Sequence, residues 1–288
     1  MKQVENIIAR AGVAPPEERS GILSELDDRG IFMLPDETWE NFVERVCRFL
    51  QALREFNSGT RLEPLAGKID FGKKIPEEVT ADANRVLKKE YNFTFSLVPG
   101  FYSRRETGRL AAGVLLEADE ILPLIFLHDG FSGKKNFRGY DRSEVLAHEL
   151  THGARMFFPD SCYEEYFTCR LYNSPFRQLA GNFFRSRYLV LAFGAGFFAG
   201  AVSLASGSLW GALFFLLPLL IFLNEARLLL KLKKAKEKLL QLHLDPLPVL
   251  VRLSDREIFL LSHLSPDECR ELEKSSLRWQ MFFKKFHI

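Results

Sequence analysis

The chain has 288 residues, enough for one large domain or two small ones. Its net charge is +2, with acidic and basic residues mixed along most of the length, which excludes nucleic acid as a main partner. The four cysteines (Cys47, Cys162, Cys169, Cys269) form no CxxC pair and read as separate free thiols of a reducing compartment, and the opening MKQVENIIARAG has no apolar signal core, so export by a cleaved peptide is not expected.

Residues 1–91 read as a helical region. Between Pro35 and Asn57 the apolar positions Trp39, Phe42, Val46, Phe49 and Leu53 follow a helical period, with Asp36 as the expected cap and Ser58-Gly59 as the stop. A further helix is expected from Pro76 to Tyr91. Both are core-packing faces without chemistry. Residues 92–187 change character. Phe93, Phe95 and Leu97 alternate with polar residues as in a half-buried strand, and RLAAGVLLEA and EILPLIFLHD read as two more strands joined around Glu117–Glu120. Pro123 lacks an N–H for a ladder, so its strand is expected at a sheet edge, where an extended peptide can add itself.

After a polar loop (131–140), Asp141 and Glu144 predict a capping box opening a helix from Arg142 to Phe158. Arg142, Glu144 and Arg155 exclude a lipid location for it. This helix carries His148-Glu149-Leu150-Thr151-His152. Histidines at i and i+4 lie one above the other and can grip one metal ion from the same face, while Glu149 reaches the side where water would sit. Such a set is the core of a zinc hydrolase that polarises a peptide carbonyl and activates water. A third protein ligand is expected. The segment after His152, GARMFFPD, does not continue as HExxHxxGxxH, and the next candidates are Glu164 and Glu165. A sharp reversal at Pro159-Asp160 brings Glu165 level with His152. Ser161 and Glu164 form an S-x-x-E capping pattern that gives Glu164 a structural task, which favours Glu165 and leaves Glu164 as the alternative.

Residues 92–168, with strands, then AHELTH, then YEEYFT, resemble the catalytic core of the zincin metallopeptidases of gluzincin type. The resemblance implies that His148, His152 and Glu165 bind zinc, that Thr168 is the small residue following the third ligand, and that Glu149 is general base and proton shuttle. An oxyanion-stabilising side chain is also expected; Tyr163, Tyr166, Arg170, Tyr172 and His128 qualify by position, and none is singled out.

From Tyr188 to Leu223 there is no charged residue. That is too long for one span of a hydrocarbon core, which needs about 20 residues, and Gly207-Ser208 divides it into an expected two-helix transmembrane hairpin. Gly196 and Gly200 offer a GxxxG contact face, and Pro218 is expected to kink the second span. Basic residues flank both ends (Arg185 and Arg187; Arg227, Lys231, Lys233, Lys234, Lys236 and Lys238), placing both termini and the metal site on the cytoplasmic side. The hairpin and cytosolic face resemble membrane zinc proteases, but no ExxAD-like element follows the spans; Glu225 and Glu257 stand in other contexts, so those enzymes' substrates do not transfer.

Residues 224–288 read as a basic amphipathic helix suited to an anionic lipid surface, then a tail of two short helices capped by Ser254/Glu257 and Ser265/Glu268. The tail is too small to hold a core and is expected on the N-terminal helices or at the membrane. The expected fold class is therefore α+β: a helical N-terminal region, a small zincin-like sheet with HExxH helix and glutamate helix, a membrane hairpin and a helical tail. The expected function is a membrane-anchored zinc peptidase acting on protein or peptide substrates at the bilayer. The rival is a non-enzymatic membrane adaptor with a structural metal or none.

Overall fold

The two apolar runs separated by Asp119-Glu120 close on each other as a hairpin. In the computed structural model, which describes residues 1–60, 68–109, 111–159, 162–183 and 187–288, Gly113–Ala118 and Leu122–Leu127 pair antiparallel, with Ala118 opposite Leu122 and Gly113 opposite Leu127. Asp119 and Glu120 take left-handed backbone at φ 52° and 58° to make the turn. Two further strands, Lys73–Lys74 (β1) and Gly100–Tyr102 (β2), complete a small mixed sheet with Gly113–Ala118 (β3) and Leu122–Leu127 (β4), in the order β1-β2-β4-β3. The rest of the fold is mainly helical, making the chain α+β.

The strand containing Pro123 is thus central, not at the edge as expected. The Ile125 N–H bonds the Pro99 carbonyl on the β2 side. Pro123, two residues earlier, turns its nitrogen to that same side, but β2 first pairs at Ile125, so no ladder bond is lost. The edge strand of this hairpin is β3, and β1 forms the other edge of the sheet. Phe93, Phe95 and Leu97 also depart from expectation. Phe93 and Phe95 are buried, yet the segment pairs with no strand: the Thr94 N–H bonds the Asp28 carbonyl (2.9 Å) and the Phe95 N–H bonds the Asn84 side chain (2.6 Å).

Helix positions follow the periodicity, while several caps do not. The third N-terminal helix runs Trp39–Asn57 and is capped by Thr38, whose hydroxyl accepts from the Asn41 N–H; Asp36 instead sits at φ 57° in the preceding turn. The Glu77–Tyr91 helix follows Pro76. The HELTH helix spans Arg142–Arg155, packed on β3, β4 and the Glu77–Tyr91 helix. Asp141 accepts from the Ser143 N–H (2.8 Å), but Glu144 turns to Asn173 and does not close a capping box. The polar loop before it folds a short ribbon, Asn136–Phe137 with Tyr140–Asp141.

The C-terminal segment enters the core. Val249, Leu250, Val251 and Leu253 are essentially inaccessible. Arg252, 1% exposed, donates to both Asp27 carboxylate oxygens (2.7 and 2.8 Å) and to the Tyr91 carbonyl (2.8 Å). Lys285 reaches the same Asp27 at 2.7 Å. The long helix Leu216–Gln241 buries Leu232, Ala235 and Leu239 against these C-terminal helices, so the apolar stripe expected on lipid is taken up by the chain itself.

Among the described residues one helix, Trp210–Gln241, is long and apolar enough to cross a membrane; only 11% of its apolar window is buried, unlike the core helix of a soluble protein. It begins within a 3₁₀ segment, Leu209–Phe215, and Pro218 falls in the first turn of the α-helical part that follows, Leu216–Gln241. The shorter apolar helix, Arg187–Ala205, packs against both. A Cβ on Gly196 would stand 2.8 Å from Pro218 Cδ and one on Gly200 2.7 Å from the Phe215 ring, so these glycines permit the close approach.

Replacing Arg252 by Met strands Asp27 with Lys285 alone in a buried place. A loss of about 3–5 kcal/mol is expected in thermal or denaturant unfolding, with part recovered when Asp27→Asn is added.

Candidate metal centre

Helical spacing sets His148 and His152 on one face, with their Nε2 atoms 3.1 Å apart. Against them lies a short helix, Glu164–Cys169, packed on the HELTH helix. One Glu165 oxygen is 3.6 Å from His152 Nε2 and the other 3.9 Å from His148 Nε2. Ligand atoms about 2.1 Å from a tetrahedral centre stand roughly 3.4 Å apart, so these three donors have the spacing that one small divalent ion requires.

Glu164 has a different task. Its carboxylate is 2.8 Å from His152 Nδ1. A carboxylate can only accept there, so Nδ1 carries a hydrogen, and Nε2 is the ring nitrogen that faces Glu165. The capping role expected for Glu164 is filled from elsewhere: Asp255 accepts from the backbone N–H groups of Cys162 and Tyr163 at the start of this helix. Ser161, the expected partner in that capping pattern, lies outside the described residues. Thr168 donates to Glu165 (3.3 Å), and the Cys169 thiol, one helical turn after Glu165, is 3.5 Å from the same oxygen.

Cys169 was not among the site residues read from the sequence. Its sulfur joins His148 and Glu165 in a cluster whose ligand atoms lie within 4.8 Å of one another. The i, i+4 relation to Glu165 was the available signal. Burial pushes this thiol up, so it stays protonated without a metal.

Glu149 is buried beneath the edge strand. A Cβ on Gly113 would fall 2.8 Å from its carboxylate, so glycine is required for this approach. Burial, helped by Glu165 and opposed by His152, raises its pKa to about 7. Burial also opposes a charge on His152, but the hydrogen bond to Glu164 and the surrounding carboxylates outweigh it and lift that pKa to about 9. Burial and the adjacent His152 push His148 well below the usual histidine range.

These residues line a cavity of about 1050 Å³. One wall is Gly113–Leu115 of the edge strand. The facing wall, which sequence reasoning missed, comes from the long apolar helix through Leu220, Ile221, Asn224, Glu225 and Leu228. None of the five expected oxyanion candidates lines it. Tyr163 donates to the Leu228 carbonyl, Arg170 pairs with Glu90, His128 accepts from the Gly130 N–H, and Tyr166 packs on Phe167. Tyr172 lies behind His148, ring centres 5.4 Å apart.

No family model, curated protein or solved structure matches the chain.

Glu164→Gln is expected to weaken divalent-metal affinity about 10–100-fold by releasing the His152 ring, and Glu165→Gln to weaken it further, both read by chelator competition. A metal must displace the proton that His152 holds up to about pH 9. Apparent affinity should therefore rise with pH through the neutral range, roughly tenfold per unit, and level off above that value.

Proposed function

We propose that this protein is a membrane-anchored, zinc-dependent peptidase with His148, His152 and Glu165 as ligands and Glu149 as general base. The observation that carries the reading is the convergence of two imidazole nitrogens and one carboxylate at ligand spacing, beside a second, buried carboxylate. Carboxylate and imidazole donors suit zinc, and the hydrogen bond that His152 Nδ1–H donates to Glu164 is the outer support such ligands have elsewhere. When bound, zinc supplies a Lewis acid that polarises a carbonyl and makes water acidic near neutral pH.

The chain's own groups do the rest. Glu149, with its pKa near 7, accepts a proton from the attacking water and returns it to the leaving amine. Among the described residues the outer edge of β3 pairs with no strand, so an extended peptide would add there as a further strand, with its backbone beside Glu149 and the histidines. The apolar stretch from Tyr188 to Leu223 crosses the bilayer twice, and the basic residues at both of its ends keep the site and both termini in the cytoplasm.

Purified protein should hold one zinc per chain. Glu149→Gln should keep that zinc and lower turnover of a peptide library by about two to four orders of magnitude. Stoichiometric zinc with unchanged turnover in the variant would remove Glu149 from the mechanism, and absence of zinc would favour a non-enzymatic membrane adaptor.

A further inference from the structure

We infer that the site takes polypeptides that are themselves held in the membrane, and cuts at a bond in the interfacial layer beside the apolar anchor; this rests on the peptidase reading above. The cavity has two chemically different walls. His148, Glu149 and Glu165 form one, and Leu189, Leu220 and Ile221 belong to the other. Leu220 is 62% exposed and continues directly into an apolar surface with Leu216, Leu219, Phe222 and Leu223, each about half exposed. The surface that faces lipid and the surface that faces substrate thus share a residue.

The level of the site relative to the bilayer follows from the same helix. Its charge-free run ends at Asn224; Glu225 is the first ionisable residue, and Arg227, Lys231 and Lys233 follow. At 1.5 Å per residue, Leu220 lies about 6 Å on the hydrocarbon side of Asn224. The cavity straddles this boundary, with Leu220 and Ile221 below it and Leu228 above. An extended chain leaving the hydrocarbon would set its last apolar residues against Leu189, Leu220 and Ile221. Its next, polar residues would then lie between the histidines and the edge strand. A soluble peptide gains little from that apolar wall.

The test uses the full chain, zinc-loaded, in phosphatidylcholine–phosphatidylglycerol vesicles. Three fluorogenic peptides share one cleavable sequence: one soluble, one joined directly to an apolar transmembrane segment, and one joined to it through a long polar spacer. The directly anchored peptide should be cleaved with kcat/KM about tenfold or more above the soluble one, at the residues adjoining the anchor. Adding the spacer should abolish most of the gain. Leu220→Asn with Ile221→Asn should narrow the ratio between anchored and soluble rates. Equal rates for all three peptides overturn the inference. Equal gains with and without the spacer also overturn it, because tethering alone then explains them. Cleavage of none of the three by zinc-loaded protein overturns the peptidase reading itself.

Discussion

The guanidinium of Arg155, three residues past the second histidine, is fully buried and sets the geometry around it. It donates to the carbonyls of Val251 and Leu253 and lies over the rings of Phe158 and Phe167. A desolvated cation is costly unless it is hydrogen-bonded and packed, so the three chain segments that supply these partners must meet around it. One is the HELTH helix, one is the glutamate helix through Phe167, and one is the C-terminal segment. Two residues beyond Leu253, Asp255 accepts from the backbone N–H groups of Cys162 and Tyr163 at the start of the glutamate helix. Arg155 and Asp255 thus tie the HELTH helix and the glutamate helix to the C-terminal segment.

That arrangement concentrates negative charge. Glu149, Glu164 and Glu165 surround two imidazoles, and burial favours neutral forms over isolated charges. Protons meet the imbalance in different ways: His152 holds one up to about pH 9, and Glu149 holds one up to about pH 7. His148 takes none in this range, because burial and the neighbouring ring exclude a second positive charge. A divalent ion, as proposed above, would answer the same electrostatic demand with one charge centre in place of scattered protons. The site is an unfavourable cluster that the surrounding core holds together, as is common where stability is given up for function.

The local part of this was legible in the sequence. The i, i+4 histidines, the Val114–Leu127 hairpin and the helix bearing Glu164 and Glu165 all follow from spacing and alternation. What was not legible is non-local. Asp255 and Tyr163 are 92 residues apart, and Arg252 and Asp27 are 225 apart, so no window along the chain contains either pair. Reading the C-terminal tail as too small for a core was sound for the tail alone; it joins a core that the first residues began. Pro123 misled because the rule against proline in central strands assumes a partner at every position, and β2 is too short to supply one. Phe93 and Phe95 alternate like a strand because burial demands it, while the Asn84 side chain and the Asp28 carbonyl replace the ladder. Cys169 escaped because cysteines were read against each other, whereas its informative neighbour is Glu165.

The long helix couples the exposed apolar segment to the folded body. Leu216–Gln241 runs without interruption, about 39 Å at 1.5 Å per residue, from an exposed apolar end to a buried one. Leu232, Ala235 and Leu239 recur at helical spacing and are locked against the C-terminal helices, which Arg252, Lys285 and Asp27 tie to the N-terminal helices. With no hinge between Leu220 and Leu239, a lipid environment around the apolar end dictates the attitude of the whole body. The cavity beside His148 and His152 borders this helix at the point where its composition changes from apolar to basic. In a bilayer its height would be set by the free energy of burying leucines and hydrating lysines, terms that together exceed any single contact within the cavity.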